Sequence, residues 1–438
     1  MNSREIFNHI FESFNKLDIN YVILHSYQLL PERFDSDIDT AIEVKEIKEA
    51  ISLLDEVLKG TGWRVIQYWR HENYAADCVI SNDDEFLQVD FCTHYERNGR
   101  VVMPVEELVN ERLSYKNFYV PSHQSEFVYI LLKKILKKKL SDGSKEQLSN
   151  LLNAMNLEET KKLRGSLSRF LEQDQITYVL ECISSNKYED VDLKQLHQQL
   201  LKKTSGIASN LHYRIFDIKR KIDRIVHPTG LFVVLLGVDG AGKTTIADKL
   251  MMRYQTAFRK IDHYHSRVRV LKDISQIKSG AKPVDASDPH GKKHRAGKMV
   301  SVIKFGYYFF DFLIGNVLIS KAKIKSTLVL IERYYYDYYI DKIRYNLNVS
   351  DAFLRFFDHF VKKPDIIIIL TGDSEILEAR KHEISREEIE QQKERFHVMF
   401  DGNPKASFID TTTSSPDACV TQIIERCNRI MRERRKWN

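Results

Sequence analysis

The sequence predicts an α/β protein whose C-terminal half holds a parallel sheet beside a glycine-rich loop, preceded by an α+β region and a helical segment. Residues 231–236 are all apolar, as in a parallel strand buried on both faces, and the glycine-rich loop follows them directly. Residues 1–120 contain five short strand patterns and two helical ones. Residues 121–226 carry apolar side chains three and four positions apart, which predicts helices. We therefore predict three domains, 1–120, 121–226 and 227–438.

Composition indicates a globular cytoplasmic protein. The 438-residue chain is 43% hydrophobic and 29% charged, which is ordinary for that class. Its five scattered cysteines lack C-x-x-C spacing and predict reduced thiols, not a disulfide framework or a zinc site. No uninterrupted apolar run reaches the ~18 residues that span a bilayer, so no transmembrane segment is expected. The charged, amphipathic N-terminus predicts a helix and not a signal peptide.

The net charge of +6 is concentrated in the C-terminal half, and this charge suits phosphorylated small molecules. Nucleic acid is the less favoured partner, and a homodimer is compatible with the sequence.

The motif G-x-x-x-x-G-K-T follows the apolar run and leads into a helical pattern. Its glycines let the backbone fold closely around phosphate, so that N–H groups and the helix N-terminus point at negative charge. Lys243 can reach the β- and γ-phosphates, and the Thr244 hydroxyl can ligate Mg²⁺. The sequence therefore predicts a nucleoside triphosphate site. Its expected residues are Gly237, Asp239, Gly240, Gly242, Lys243, Thr244 and Thr245.

Two further groups of residues in the C-terminal half suit phosphate chemistry. Glu332 and Arg333 follow the apolar strand pattern TLVLI, at the end of a strand where such sheets bind ligands. Glu332 can orient Mg²⁺ or its water, and Arg333 can bridge donor and acceptor phosphates. Arg380, Lys381 and Arg386 surround a predicted helix break, where cations can close over a transferring phosphate.

A third group precedes them. His263, His265 and Arg267 alternate along a strand pattern, which predicts either a face for an anionic substrate or a solvated strand edge. Residues 272–300 are rich in Pro, Gly and Lys and predict a loop. The aromatic helix pattern after it predicts core packing, with Asp311 as an unexpected charge.

The N-terminal region carries a candidate metal site of its own. Alternation along a strand puts Asp37 and Asp39 on one face, and Asp90 lies on a later strand. Three such carboxylates can hold Mg²⁺ through oxygen ligands. The alternative is an acidic strand end that has only an architectural role.

Residues 230–436 resemble the thymidylate kinase family of P-loop kinases in GVDGAGKTT, in ERY, in the arginine-bearing segment and in IDTTTSSPDACVTQI. The resemblance implies ATP and Mg²⁺ as cofactors, with Thr244 and Glu332 at the metal. It also implies that Lys243, Glu332 and Arg333 act in catalysis together with a lid. The implied lid residues are Arg380, Lys381 and Arg386, and Asp410 is implied to lie beside the adenine.

The chain departs from that family in two respects. The R-E-P-G-G-T segment that shapes the thymidylate site is absent, and HYHSRV stands in its place. The acidic residue of ERY is Glu332, where the family has Asp. Phrases such as ERYYYDYYIDKIRY look more like the thymidylate-kinase-like proteins of bacterial surface-polysaccharide gene clusters. The resemblance therefore does not imply thymidylate as the acceptor.

Residues 1–120 resemble nucleotidyltransferases of the DNA-polymerase-beta type, whose D-x-D pair and later carboxylate coordinate metal. The implied ligands here are Asp37, Asp39 and Asp90. That family has Gly-Ser before the D-x-D pair to cradle a triphosphate, whereas this chain has His25-Ser26 and no glycine.

Taken together, the sequence predicts Mg²⁺-dependent transfer of the γ-phosphoryl group of ATP to a small nucleotide or sugar-type acceptor. Two alternatives stay open at this point. One is a nucleotidyltransferase that uses the N-terminal carboxylates, with the P-loop domain regulatory. The other is a non-catalytic switch operated by nucleotide.

Overall fold

A computed structural model describes residues 1–70, 72, 74–97, 100–204, 207–268, 297–345, 347–382 and 384–434. The chain divides into two compact units, Met1–Asp223 and Arg224–Asn438. The predicted loop at 272–300 lies outside the described residues up to position 296.

The first unit contains a five-stranded sheet of order β1-β2-β5-β4-β3, in which β2 and β5 run parallel and the other neighbours antiparallel. This confirms the strands and helices predicted for residues 1–92. They are α1 (Ser3–Lys16), β1 (Tyr21–Ile23), β2 (Ile38–Ile42), α2 (Ile47–Val57), β3 (Arg64–Arg70), β4 (Ala75–Ser81) and β5 (Phe86–Cys92).

Helix α1 shows how local sequence sets these elements. Asn2 caps its N-terminus in a reciprocal box with Glu5, which satisfies two backbone N–H groups that the helix leaves unpaired. Its Phe7, Phe11 and Phe14 are fully buried and pack against one another at helical spacing. The sequence analysis missed a set of short elements after β5. They are β6 (His94–Arg97), β7 (Arg100–Pro104), α3 (Glu106–Val109), β8 (Leu113–Tyr115) and β9 (Phe118–Val120).

The helical region belongs to the first unit as far as Asp223, inside its last helix, and is not a separate connector. Its helices are α4 (His123–Lys137), α5 (Asp142–Ala154), α6 (Leu157–Ser168), α7 (Gln173–Ser184), α8 (Leu193–Lys203) and α9 (Ile207–Val226). Phe127 and Leu131 of α4 share one hydrophobic core with Val22, Leu24 and Ala41 of the sheet region. The domain boundary predicted at residue 120 therefore falls inside a single unit, because α4 buries its apolar side chains against both regions.

The second unit contains a five-stranded parallel sheet of order β11-β12-β10-β13-β14. The three central strands are buried along almost their whole length, as predicted from their uninterrupted apolar runs. The strands are β10 (Leu231–Gly237), β11 (Lys260–Tyr264), β12 (Thr327–Glu332), β13 (Ile366–Thr371) and β14 (Ala406–Asp410).

Helices flank this sheet and include the predicted break between residues 380 and 386. They are α10 (Lys243–Arg253), α11 (Lys298–Ile324), α12 (Asp337–Ile340), α13 (Lys342–Tyr345), α14 (Asp351–Asp358), α15 (Ser374–Arg380), α16 (Arg386–Phe400) and α17 (Pro416–Arg434).

Strand β11 is shorter than predicted and corrects the interpretation of HYHSRV. It ends at Tyr264, so only His263 lies on the strand, while His265 and Arg267 follow it. Arg267 is buried and its Nε lies 2.6 Å from a carboxylate oxygen of Asp311 on α11. The three side chains therefore do not form one cationic face, and the unexpected charge of Asp311 has a buried partner.

Helix α11 is, within the described part of the chain, the one helix long and apolar enough to cross a membrane by length and composition. In its most apolar 18-residue window, 28% of the residues are buried. Phe310, which the aromatic pattern assigned to the core, is half-exposed, and Asp311 is fully buried.

We predict that Asp311→Ala strongly destabilises the protein. The substitution leaves the Arg267 guanidinium buried without this carboxylate, and breaking a buried pair in this way costs about 3–5 kcal/mol of unfolding free energy. Chemical denaturation measures this loss. The control is Asp351→Ala, which breaks the exposed pair with Lys342 and should change the unfolding free energy by less than about 1 kcal/mol. Equal losses in the two variants would contradict the assignment.

Candidate functional site

A cavity of about 580 Å³ lies at the carboxyl ends of β10 and β12, which are neighbours in the sheet. A parallel α/β sheet binds its ligands at this edge. The cavity brings together most of the residues predicted for the C-terminal half. These are Asp239, Gly240, Gly242, Lys243, Thr244, Thr245, Glu332, Arg333, Arg380 and Lys381.

The glycine-rich loop has the backbone shape that a phosphate cradle requires. Gly240 has φ of 82°, and a Cβ there would lie 2.5 Å from the carbonyl oxygen of Leu377. Gly242 has φ of 77° and caps the N-terminus of α10, with no atom within 4 Å of where its Cβ would be. The loop therefore needs glycine at both positions. It leaves open space at the end of the helix, where backbone N–H groups attract an anion.

Lys243 is held against the loop itself. It is buried, and its Nζ donates hydrogen bonds of 2.8 Å to the carbonyl oxygens of Gly237 and Val238. Burial, and then the positive charge of Arg333, lower the pKa of the Lys243 ammonium. An anionic ligand beside Lys243 would oppose both effects, so the site is electrostatically suited to phosphate.

Asp239 is the centre of the site's charge network. Its carboxylate contacts Arg333 and lies 2.7 Å from Arg344 and 3.9 Å from Lys243. Burial alone raises the pKa of Asp239, but Arg333, Lys243 and Arg344 together hold it well below the usual range. The carboxylate therefore stays ionised and offsets the repulsion among three cations.

Arg333 occupies a strained backbone position directly after β12. Its φ of 59° is in the left-handed region, and its N–H donates a 3.0 Å hydrogen bond to the Leu235 carbonyl of β10. Non-glycine residues are held in this region only when their surroundings enforce it, and they are enriched at functional sites. Strain, hydrogen bond and ion pair together fix the guanidinium in the cavity.

Glu332 and Thr244 form the place where Mg²⁺ fits. The Thr244 hydroxyl donates a 3.0 Å hydrogen bond to one carboxylate oxygen of Glu332, and Glu332 is buried. A hydroxyl and a carboxylate beside a phosphate cradle are the oxygen donors that Mg²⁺ prefers. The other oxygen of Glu332 lies 2.8 Å from His263 Nε2 and 3.2 Å from His265 Nδ1.

Three other predicted residues lie outside the cavity lining, and one of them, Gly237, ends β10 and accepts a hydrogen bond from Lys243 through its carbonyl. Arg386, at the start of α16, pairs with Glu375 and is half-exposed. Asp410 accepts hydrogen bonds from the backbone N–H of Thr412, at 2.7 Å, and from its hydroxyl. Asp410 thus shapes the loop after β14, and the residues of that loop that line the cavity are Thr411, Thr412, Ser414 and Pro416.

No role for Arg344 is predicted from the sequence, and the alternating pattern allows two roles for His265. Arg344 is 105 positions from its partner Asp239, and only the fold brings the two together. The one signal near Arg344 in the sequence is Asp341, three residues before it. In the structure the backbone N–H of Arg344 donates a 3.0 Å hydrogen bond to the Asp341 carboxylate.

The fold brings the three N-terminal carboxylates near one another, since burial raises the pKa of Asp90 most and the charges of Asp77, Asp39 and Asp37 raise it further. Asp39 on β2 lies opposite Asp90 on β5, but Asp37 precedes β2 and is exposed. Among the described residues, one group of histidine and acidic side chains is close enough to hold a metal, namely His263, His265 and Glu332. Asp37, Asp39 and Asp90 do not form such a group.

Asp90 carries a different signature. It is buried, Asp77 lies opposite it on β4, and Gln88 donates a 3.0 Å hydrogen bond to it. Burial, and then the charges of Asp77 and Asp39, raise the pKa of Asp90 far above its usual range. The carboxyl is therefore protonated at neutral pH.

Neither a family model nor a curated protein sequence matches the chain. Among solved structures, a thymidylate kinase from Candida albicans is similar to 46% of this chain over 93% of its own length, at 17% identity and a TM-score of 0.35. A thymidylate kinase from Ehrlichia chaffeensis is similar to 46% of this chain over its full length, at 15% identity and a TM-score of 0.33.

We predict that Asp90→Asn stabilises the protein, and more so at pH 8 than at pH 4.5. Because the folded-state pKa is raised, the stability associated with this group is present below about pH 4 and is lost as the pH rises. Asparagine keeps the volume and the acceptor for Gln88 without this loss. The melting temperature at pH 8 should rise by at least about 2 °C.

The matched control for this measurement is the exposed Asp84, where Asp84→Asn should leave the melting temperature nearly unchanged at both pH values. If Mg²⁺ lowers the stability of wild type and of Asp90→Asn equally at pH 8, that effect does not arise from the Asp90 carboxyl. A destabilised Asp90→Asn variant would contradict the pKa assignment.

Proposed function

We propose that the second unit transfers the γ-phosphoryl group of ATP to a small acceptor of nucleotide or sugar type. One observation carries this proposal. A glycine-rich loop, the cations Lys243, Arg333, Arg380 and Lys381, and the carboxylate of Glu332 all face a single cavity. Loop and cations suit a triphosphate, and a volume of about 580 Å³ is in the range of small-molecule sites.

Nucleotide binding would begin at the loop. The N–H groups at the start of α10 would donate hydrogen bonds to the phosphates. Lys243 Nζ would leave the carbonyl oxygens of Gly237 and Val238 and bind phosphate oxygens. Thr244 and Glu332 would hold Mg²⁺, which, when bound, neutralises charge on the phosphate oxygens. The loop after β14 contributes Thr411, Thr412 and Pro416 on the side where the nucleoside would lie.

Transfer would then depend on charge and position. The acceptor oxygen bonds to the γ-phosphorus while the bond to the bridging oxygen breaks, and ADP leaves with that electron pair. A hydroxyl acceptor also releases its proton to solvent, whereas an ionised phosphate acceptor has none to lose. Arg333, placed by Asp239 and by its own backbone, stabilises the charge on the group in transit. Arg380 donates a 3.0 Å hydrogen bond to the Thr411 carbonyl, and both residues line the cavity.

Within this proposal the protein is a cytoplasmic enzyme with a small-molecule acceptor, and nucleic acid is the less favoured partner. The absent R-E-P-G-G-T segment argues against thymidylate as that acceptor, and the polysaccharide-cluster resemblance favours a sugar-type one.

We predict that Lys243→Ala lowers kcat for phosphoryl transfer by about 10²-fold or more, because a cation at the β- and γ-phosphates is removed. The measurement uses γ-labelled ATP with a panel of nucleoside monophosphates and phosphorylated sugars. Lys249→Ala is the matched control, since Lys249 lies on the same helix but pairs with Asp417 and does not line the cavity. A wild-type rate in Lys243→Ala would overturn the proposal, and label transfer only from α-labelled ATP would favour a nucleotidyltransferase.

We also predict that Arg344→Ala lowers kcat by about tenfold or more with little change in ATP affinity. Arg344 does not line the cavity but binds Asp239, so its loss lets Asp239 draw Arg333 out of its place. Arg344→Lys keeps a charge near Asp239 and should restore part of the rate. Comparing kcat with the Kd of ATP tests this positioning role, and a change in Kd alone would contradict it.

A further inference from the structure

The His263 and His265 side chains cluster on Glu332, and the proposed phosphoryl transfer requires neither histidine. One oxygen of Glu332 lies 2.8 Å from His263 Nε2 and 3.2 Å from His265 Nδ1. The three ligand atoms all lie within 4.8 Å of one another. The two rings meet edge to face with centroids 4.9 Å apart, and each ring has one nitrogen in contact with the same carboxylate oxygen.

We propose that this cluster binds a divalent transition metal such as Zn²⁺, at a site distinct from the Mg²⁺ position between Thr244 and the other oxygen of Glu332. Two imidazoles and one carboxylate are a ligand set for Zn²⁺ or Fe²⁺ that leaves coordination positions open. Mg²⁺, in contrast, prefers oxygen ligands only.

The ligand atoms are gathered closely enough for a metal to replace the hydrogen bond that now joins His263 to Glu332. Zn²⁺ binds such ligands at about 2.0–2.1 Å, so ligand atoms of a tetrahedral site lie about 3.4 Å apart. The contacts of 2.8 Å and 3.2 Å to Glu332 are shorter than that value, so small rotations of the two rings away from the carboxylate would make room for the ion. The His265 side chain is 70% exposed, which gives it room to rotate.

The protein also supplies the outer contact that such a site needs. Glu332 is buried at the end of β12, and its second oxygen accepts the hydrogen bond from the Thr244 hydroxyl. A ligating carboxylate oriented by a further hydrogen bond is typical of metal sites. His263 is fixed by the pairing of β11 with β12, and only His265 lies on the segment that follows the strand.

The open positions of the metal would face the cavity, because both His265 and Glu332 line it. Their natural ligand is an anionic oxygen of the acceptor, so the site would select an acceptor that carries a phosphate or carboxylate group. Binding of the metal itself does not depend on the chain being a kinase.

The test uses the full-length protein with one equivalent of Zn²⁺ in excess Mg²⁺ and without nucleotide. X-ray absorption at the zinc edge should show nitrogen or oxygen ligands at about 2.0–2.1 Å and the outer scattering of two imidazoles. His263→Gln with His265→Gln should remove that scattering and weaken Zn²⁺ binding at least about tenfold, measured by competition with a chromophoric chelator.

His359→Gln is the matched control, since His359 lies in the same unit but bonds to the Arg355 carbonyl, and its spectrum and affinity should equal those of wild type. His265→Gln alone alters an exposed side chain, keeps the fold and should remove one imidazole. A sulfur ligand at about 2.3 Å, or imidazole scattering that survives the double substitution, would overturn the site. Lys243→Ala should retain Zn²⁺ binding, so loss of kinase activity and loss of the metal site are separable.

Discussion

The buried carboxylate of Asp239 is the interaction on which the site depends. Arg333, Arg344 and Lys243 converge on it, and three cations in so small a space would otherwise repel one another. In the free protein Asp239 thus supplies the negative charge that phosphates would bring. The cations are held in position before any ligand arrives, and reorganisation, which is costly in catalysis, is thereby reduced.

The parallel sheet supplies the rest of the geometry. Because β10 and β12 are neighbours, the loop after one strand and Glu332-Arg333 at the end of the other emerge side by side. The Arg333 N–H then bonds to the Leu235 carbonyl, which joins the two strand ends and imposes the left-handed backbone on Arg333. β13 closes the other side of β10 and leads to the helix that carries Arg380. Neighbouring strand ends thus convert three distant sequence segments into one cavity.

The sequence predicted the features that depend on residues close together in the chain. The apolar runs gave the buried strands, and the glycine-rich motif placed Lys243 and Thr244 correctly because loop and helix are adjacent in the chain. Pairing between residues far apart in the chain could not be predicted from the local sequence. Nothing near Arg344 reveals Asp239, and the end of β11 at Tyr264 follows from its pairing with β12, not from the alternating pattern. The shared core of α4 with the first sheet was missed for the same reason. The roles of all the predicted site residues, Arg386 and Asp410 included, stay predictions.

The choice of glutamate at position 332 follows from the same geometry. One oxygen of Glu332 reaches the Thr244 hydroxyl at 3.0 Å, and the other reaches His263 and His265. An aspartate on the same backbone would be shorter by one methylene, about 1.5 Å, and could not meet both sides at once. The buried end of β12 offers no freedom to move closer, because the strand is paired on both edges. The glutamate and the two histidines after the glycine-rich loop are therefore best understood as one structural feature, a carboxylate shared between the phosphate side and the imidazole side of the cavity.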